Sequence, residues 1–179
     1  MRPLFYILLS FYTMAQTETQ SYEILKNISD CEIRFYPPAM MAKYNSNDGR
    51  SGFGKLFRYI SGNNDGETKI SMTTPVHMEK SESKSSMAFV LPKRFNKENT
   101  PKPNDASLIV YESDSGHYAA IEYSGYTDKD KEKENSVKLI KILNEQNIKI
   151  LGSSKVLVYN SPYKIAFRRN EILIPISYN

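Results

Sequence analysis

Apolar and polar side chains alternate along this chain in a way that predicts short strands interrupted by two helices. The clearest periodic stretch follows Gly52, where large apolar side chains fall at i, i+3, i+4 and i+7: Phe53, Leu56, Phe57 and Ile60. This spacing predicts a helix with four large apolar groups on one face. A run rich in glycine and asparagine then ends the helix, because both residues tolerate the positive φ of a helix terminus.

A strand is predicted after this turn, from Lys69 to Met78, because side chains suited to one buried face recur at every second position. Pro75 has no backbone donor and therefore indicates an edge or a bulge within that strand. Pro37-Pro38 indicates a bend in an earlier strand for the same reason. The other predicted elements of this half are strands at 21–26, 32–44 and 86–91, and a long loop at 93–105.

The second half of the chain repeats the order of the first. Thr127 is the predicted cap of a second helix, with Asp130 completing a short capping box, and the helix extends to about Gln146. Its predicted inner face contains Val137, Ile140 and Leu143 or Asn144. Strands are predicted at 107–112, 117–124, 155–159 and 171–176. Two successive strand–strand–helix–strand–strand units predict an internal duplication with pseudo-twofold symmetry, in an α+β domain with an antiparallel, barrel-like sheet.

The first fifteen residues, Met1 to Ala15, have a different character. Arg2 is followed by an apolar run from Pro3 to Tyr12, and then by small residues suited to a cleavage site before Gln16. This is the pattern of a secretory signal peptide. The run is short for a transmembrane helix, which needs about 20 apolar residues, although an uncleaved anchor is the alternative. We therefore expect an exported protein, periplasmic or secreted, in which residues 16–179 form a single domain without a transmembrane span.

Composition narrows the possible functions. The chain has 24 basic and 20 acidic residues, a net charge of +4. This excess is small and scattered, with one local basic cluster between Lys164 and Arg169, so no nucleic-acid partner is expected. Cys31 is the sole cysteine, which excludes an internal disulfide and predicts a buried, inert thiol. No metal-ligand spacing, phosphate loop or nucleophile–base pair is present, so the sequence favours a binding protein over an enzyme.

Several stretches resemble, in the same order, the SOUL family of haem-binding proteins. They are GFGKLFRYISGNN with KISMTTPV, then MAFVLPKRF, PKPNDASLIVYE, YNSPYKIAFRR and RNEI, which together extend from about Tyr22 to Ile176. The resemblance implies a distorted antiparallel β-barrel of about eight strands flanked by two helices. It also implies an amphipathic planar ligand, haem or another tetrapyrrole, held non-covalently between the first helix and the loop before the last strand.

The resemblance also implies which residues would hold the ligand. By position they are Arg50, Phe53, Phe57 and Arg58 on the helix, and Tyr159 and Lys164 on the loop side. Leu56 joins them from the apolar face of the helix. Arg58 and Lys164 are the expected partners of the propionates, since cations pair with carboxylates. The alternative is that the apolar face packs entirely on the sheet and that both charges are ordinary solvated surface.

The sequence departs from the family at the position of a possible iron ligand. Some animal members carry a histidine in the second strand, and Phe35 stands in that place here. His77 is expected to point to solvent and His117 lies beside a turn, so neither is an expected ligand. Methionine sulfur is a further possible donor, although methionine more often fills gaps in a core; the candidates are Met40, Met41, Met72 and Met78.

We therefore expect a ligand-carrying or ligand-buffering protein that holds haem by aromatic contact and propionate pairing. The competing hypothesis is an effector-binding or protein-interaction module with no haem role. Folds built from this duplicated unit resemble bacterial effector-binding domains, and a fold does not determine function.

Overall fold

The protein is described by a computed structural model that covers residues 17–46, 52–80 and 85–178, without the side chain of Lys80. The predicted signal segment, Met1 to Ala15, lies outside these residues. The elements are β1 (Glu23–Ile28), β2 (Cys31–Tyr36), β3 (Met40–Ser46), α1 (Phe53–Ile60), β4 (Val76–Lys80), β5 (Ser85–Val90), β6 (Leu108–Glu112), β7 (Gly116–Ser124), α2 (Lys129–Glu145), β8 (Lys155–Val158) and β9 (Arg169–Ile176). Over the part described, neither helix is long and apolar enough to cross a membrane.

All nine strands form one antiparallel sheet in the order β1-β2-β7-β9-β8-β4-β5-β3-β6. Directly paired residues point to the same side of a sheet. Ile172, Val156, Met78 and Met87 form such a row, which leads from the core beneath α2 to the core beneath α1. Both helices therefore pack on one face of the sheet, which we call the helix face. The opposite side is the concave face.

The strand pairing confirms the duplicated order predicted from the sequence. In β3–α1–β4–β5 and in β7–α2–β8–β9, the last strand lies between the other two, and β4 pairs with β8 across the centre. The strand that precedes each unit, β2 or β6, pairs with the first strand of the other unit. The two halves are thus related by a pseudo-twofold axis between β4 and β8.

The sheet is strongly curled. Tyr36 on β2 and Tyr111 on β6 line one groove, although seven strand spacings separate these strands in the sheet. In a flat sheet that separation would be roughly 34 Å, so the concave face must wrap around the groove. Within the described residues the outermost strands, β1 and β6, do not pair with each other. The α+β class, the antiparallel curved sheet and the two helices are confirmed, with nine strands.

Two predicted strands are shorter than the sequence indicated. The predicted strand at 32–44 is two strands, because Pro37-Pro38 ends β2 and the chain then joins a different part of the sheet as β3. The predicted strand from Lys69 becomes regular only at Val76, after a cis peptide between Thr74 and Pro75. Ile70 still packs in the core beneath α1, as the alternation predicted.

The second helix begins one residue later than predicted. Asp128 is its cap and accepts a hydrogen bond from the backbone N–H of Lys131 at 2.9 Å. Its buried stripe is Leu139 and Leu143, whereas Val137 is 58% exposed, so the predicted inner face was wrong except at Leu143. Leu139 and Leu143, with Ile142 beside them, pack this otherwise polar helix on the sheet.

Candidate functional site

Helix α1 is anchored on the sheet by one face and leaves two aromatic rings on the surface. Leu56, Tyr59 and Ile60 are buried, and the Tyr59 hydroxyl donates a hydrogen bond to the carbonyl of Pro101 at 2.8 Å. Phe53 and Phe57 are 40% and 49% exposed, and their rings stack at 5.9 Å between centroids. The four apolar residues predicted on one face are therefore divided. Two pack inward, and two form a small aromatic surface.

The start of α1 is held close to the sheet by a glycine. A Cβ at position 52 would lie 2.2 Å from the ring of Tyr44, so only glycine fits there. The ring of Phe53 then packs edge-on against Phe89 at 5.3 Å. Phe89 pairs with Val76, which pairs with Val158 at the end of β8. The β8–β9 loop therefore leaves the sheet two strand spacings, about 10 Å, from the residue that supports Phe53.

The β8–β9 loop, residues 159–168, carries the most exposed apolar side chains of the described chain. Tyr163, Ile165 and Phe167 are 90%, 82% and 94% exposed. Phe167 has a φ of 51°, in the left-handed region that bulky residues rarely adopt. Lys164 lies between these residues in the sequence and is also exposed. The loop therefore presents an apolar tip that includes one basic side chain.

The base of this loop is fixed by a buried arginine. Arg168 is 6% exposed and donates hydrogen bonds to the carbonyls of Ser161 and Lys164, both at 2.7 Å. Its guanidinium lies 4.3 Å from the ring centroid of Tyr126, whose hydroxyl donates a hydrogen bond to the carbonyl of Pro162. Because the Arg168 guanidinium donates its hydrogen bonds to backbone carbonyls of the loop, it fixes the shape of the loop. In that shape the tip of the loop is exposed.

The predicted site residues fall into four groups. Phe53, Phe57, Arg58 and Lys164 are exposed on the surface formed by α1 and the loop. Leu56 is fully buried and has no surface to offer a ligand. Tyr159 follows Val158 and so lies on the concave face, where its hydroxyl donates to Glu171 at 2.8 Å. Arg50 lies outside the described residues.

Sequence reasoning missed a buried ionic network on the concave face. Arg34 and Glu171 are 3% and 0% exposed and form two parallel hydrogen bonds, at 2.7 and 3.0 Å. Arg169 donates a further hydrogen bond to Glu171 at 2.6 Å. Burial alone would raise the pKa of Glu171, but the bonds and charges of the two arginines hold that pKa below its ordinary value. The sequence did contain one sign of this network: Arg34 and Glu171 each stand next to apolar residues within a predicted strand, in IRF and NEI.

A second ionic cluster lies on the same face. Glu79 contacts Lys155 at 2.8 Å and Lys43 at 3.3 Å. Burial would raise the pKa of Glu79, but the two ammonium groups lower it to about 2. Nearby, His77 is half-buried and its Nε2 lies 2.8 Å from Oε1 of Gln20. Burial, aided by the charge of Lys155, lowers the pKa of His77 to about 4, so this ring is neutral at pH 7. It lies opposite Val76 and Met78, as the alternation predicted, but it faces the groove of the concave face and not open solvent.

Neither histidine is close to the aromatic surface of α1 and the loop. His77 lies on the opposite face of the sheet, since its neighbours Val76 and Met78 point toward the helices. His117 is six residues along β7 from Tyr123, the residue at the loop end of the sheet, a distance of about 20 Å. Its ring lies beside Phe35, at 5.4 Å. Across the described residues, no three His, Cys, Asp or Glu side chains cluster in a way that could hold a metal ion.

The family model and the curated relatives that match this chain are all described as heme-binding proteins. The family model described as SOUL heme-binding protein matches residues 17–175. Heme-binding protein 2 of Homo sapiens is 30% identical over 156 residues, covering 79% of this chain and 75% of that protein. The protein of the same name from Mus musculus is 28% identical over 158 residues, with the same two shares. The EcmrR C-terminal domain superposes with a TM-score of 0.62 at 12% identity, covering 88% of this chain and 99% of that one. At that identity the likeness concerns the fold alone.

Proposed function

This chain belongs to the SOUL heme-binding protein family, and on that premise we propose that it binds haem, or a related tetrapyrrole, non-covalently on the surface formed by helix α1 and the β8–β9 loop. The observation that carries this proposal is the pair of exposed aromatic segments at one end of the sheet. One is the Phe53–Phe57 stack, and the other is the loop tip with Tyr163, Ile165 and Phe167.

Energetics favour a ligand on this surface. Burying one side chain of this size is worth about 1.5–3 kcal/mol relative to leaving it in water. Large exposed apolar groups clustered on one part of a protein surface mark interaction sites. A planar macrocycle matches them in shape and polarity, because stacked and edge-on contacts with flat rings suit Phe57 and Tyr163.

The charges on the same surface suit the acidic edge of a tetrapyrrole. Arg58 lies in the last turn of α1, and Lys164 lies on the loop tip. Both are exposed, so each would contribute modestly to pairing with a propionate, by up to about 1 kcal/mol, and the pairing would weaken with salt. Apolar contact therefore supplies most of the affinity.

The iron of a bound haem would supply redox chemistry, and neither histidine of this chain lies where it could ligate that iron. His77 lies on the concave face and His117 lies at the far end of the sheet. We therefore propose a role in carriage or buffering, in which an open and weakly ligating surface allows transfer, and not a catalytic role. We further propose that the chain is exported, because of the pattern in Met1 to Ala15.

Haem titration followed in the Soret region tests the proposal. Phe57→Ala should weaken haem affinity at least ten-fold, because it removes half of the aromatic stack. Val137→Ala is the matched control, since Val137 is also exposed but lies on α2. Loss of affinity in the control, or no saturable haem binding at micromolar wild-type protein, would contradict the proposed site and favour the interaction-module hypothesis.

Export is tested separately by the intact mass of the protein from its native host. A mature chain that begins at or next to Gln16 is the expected result. A soluble form that retains Met1 to Ala15 would refute export and would leave the haem proposal untouched.

A further inference from the structure

Two cavities that share the residue Gln20 are not used by the haem proposal. A polar cavity of about 50 Å³ on the concave face contains the Glu79 ion cluster. A larger cavity of about 340 Å³ at the edge of that face has an apolar wall that includes Val90 and Leu91, and a polar part that includes Glu18, Lys93 and Glu112. Gln20 lines both cavities. A buried apolar cluster lies between them, because Met41 and Ala88 beside the polar cavity pack with Val90 beside the larger one.

The polar cavity has more cationic than acidic groups at its base. Lys43 and Lys155 share the single carboxylate of Glu79. Their side chains are 24% and 31% exposed, so they are partly desolvated. Asp114 also lines this cavity, but it is exposed on the β6–β7 turn at the mouth. An anionic group at the base therefore meets two ammonium groups and one carboxylate that already has partners.

Two hydroxyl donors lie beside these ammonium groups. Tyr111 and Tyr118 line the polar cavity, and their hydroxyls have no hydrogen-bond partner within the described part of the chain. Both hydroxyls lie close to Lys155. Burial would lower the pKa of that lysine, but Glu79, and to a smaller extent Tyr118 and Tyr111, keep its pKa above the ordinary value. Phenol and ammonium donors that converge on one small space form a carboxylate-binding arrangement.

The sizes of the two cavities indicate the shape of the ligand. A cavity must measure about 10–15 Å³ to hold one water, so the polar cavity has room for roughly three or four water-sized groups, enough for a carboxylate. The larger cavity falls within the range of small-molecule pockets, about 300–1,000 Å³. Its buried wall of Val90, Leu91 and Pro92 suits a hydrocarbon body, whereas Lys93 and Glu112 are exposed.

We propose that the concave face binds an amphipathic organic acid of the medium-chain fatty-acid class, with its carboxylate at Lys155, Lys43 and the two phenols. The hydrocarbon body passes Gln20 and occupies the larger cavity. Gln20 belongs to the segment that crosses this region, held by backbone pairing between Thr19 and Thr74. The carboxylate end of this site lies on the opposite side of the sheet from the exposed rings of α1, and none of the residues that line either cavity belongs to the proposed haem surface.

The test uses octanoate as the probe and octan-1-ol as its uncharged counterpart, with binding followed by calorimetry and by backbone amide NMR shifts. Octanoate should bind the wild-type protein at least ten-fold more tightly than octanol, with shifts at β4, β5 and β8. Lys155→Gln should weaken octanoate binding at least ten-fold. The control Lys141→Gln, at a 75% exposed lysine on α2, should leave it unchanged.

Further variants keep the test decisive if Lys155→Gln fails to fold. Tyr118→Phe leaves the ion cluster intact and should weaken octanoate binding roughly three- to five-fold without changing octanol binding. Equal affinity for octanoate and octanol, or octanoate-induced shifts confined to α1, would overturn the proposal. Phe57→Ala should leave octanoate binding unchanged and Tyr118→Phe should leave haem binding unchanged, so either site can fail alone.

Discussion

The concave face of the sheet and the segments formed by α1 and the β8–β9 loop depart from the usual distribution of side chains in opposite ways. On α1 and the loop, aromatic groups are exposed, with Phe167 94% exposed. On the concave face, charged side chains are buried, with Glu171 fully inaccessible to solvent. Globular proteins ordinarily do the reverse, because apolar burial stabilises and charge burial costs free energy. The comparison teaches that the buried charges are satisfied within the fold, by hydrogen bonds of Arg34 and Arg169 to Glu171, whereas the exposed rings leave apolar surface for the ligand proposed above.

The largest expected effect comes from breaking the concave network. Arg34→Met should destabilise the fold by about 3–5 kcal/mol, because it removes one partner of a buried ion pair and leaves Glu171 with Arg169 alone. Denaturant unfolding measures this change. Lys138→Met is the matched control, because Lys138 pairs with Asp30 at 2.6 Å on the surface and its loss should be undetectable. Equal effects of the two substitutions would mean that burial does not distinguish these pairs.

Helix α1 allows the comparison to be made within one element. Leu56→Ala should destabilise the protein by about 2–5 kcal/mol, because Leu56 is fully buried against the sheet. Phe57→Ala should cost far less stability while haem affinity falls, because its ring is half exposed. A denaturant midpoint and a haem titration on both variants separate the two roles. If Leu56→Ala left the midpoint unchanged, the packing of α1 described above would be wrong.

His77 makes the concave face sensitive to acid. Its folded pKa of about 4 lies below the ordinary value of 6.5, so between these values the unfolded chain binds the proton and the folded chain does not. Stability from the neutral ring is therefore complete above pH 6.5 and is lost as the pH falls, by about 2–3 kcal/mol at pH 4.5. His77→Gln should flatten the dependence of unfolding free energy on pH in this window. An unchanged slope would assign the acid sensitivity to other groups.

The smallest effects should come from the exposed charges of the haem surface. Arg58→Ala and Lys164→Ala should each weaken haem affinity by up to about 1 kcal/mol, roughly five-fold, and less at high salt. The double change His77→Ala, His117→Ala should leave haem affinity within a few-fold, and the spectrum should lack bis-histidine bands. Complete loss of binding on removing one histidine would show that the iron is ligated by the protein.

Local periodicity was enough to predict most of the fold. The spacing of Phe53, Leu56 and Ile60 predicted α1, and the repeated element order predicted the duplication that β4 and β8 display. The ends of the strands were harder to predict from the sequence. Pro37-Pro38 predicts a bend within one strand, but in the fold it separates β2 from β3, which lie in different parts of the sheet.

The candidate site was predictable only where it depended on neighbours in sequence. Phe53 and Phe57 follow from helical spacing, and both lie on the proposed surface. Tyr159 could not be placed, because its orientation depends on where β8 ends and on which face carries the helices. The pairing of Arg34 with Glu171 joins residues 137 positions apart, and no local pattern encodes such a contact.

The exchange of strands between the two halves bears on how this fold arose. β2 pairs with β7, and β6 pairs with β3, so each half completes the sheet of the other. A half-length ancestor would have left those strand edges unpaired. Its sheet would have been complete only in a twofold dimer in which each subunit paired one strand with the sheet of the other subunit. Gene fusion would then have turned an intermolecular assembly into an intramolecular one. It would also have freed the two copies to diverge, so that only the first carries the exposed phenylalanines of α1, while the buried pair of Arg34 and Glu171 joins one residue from each copy.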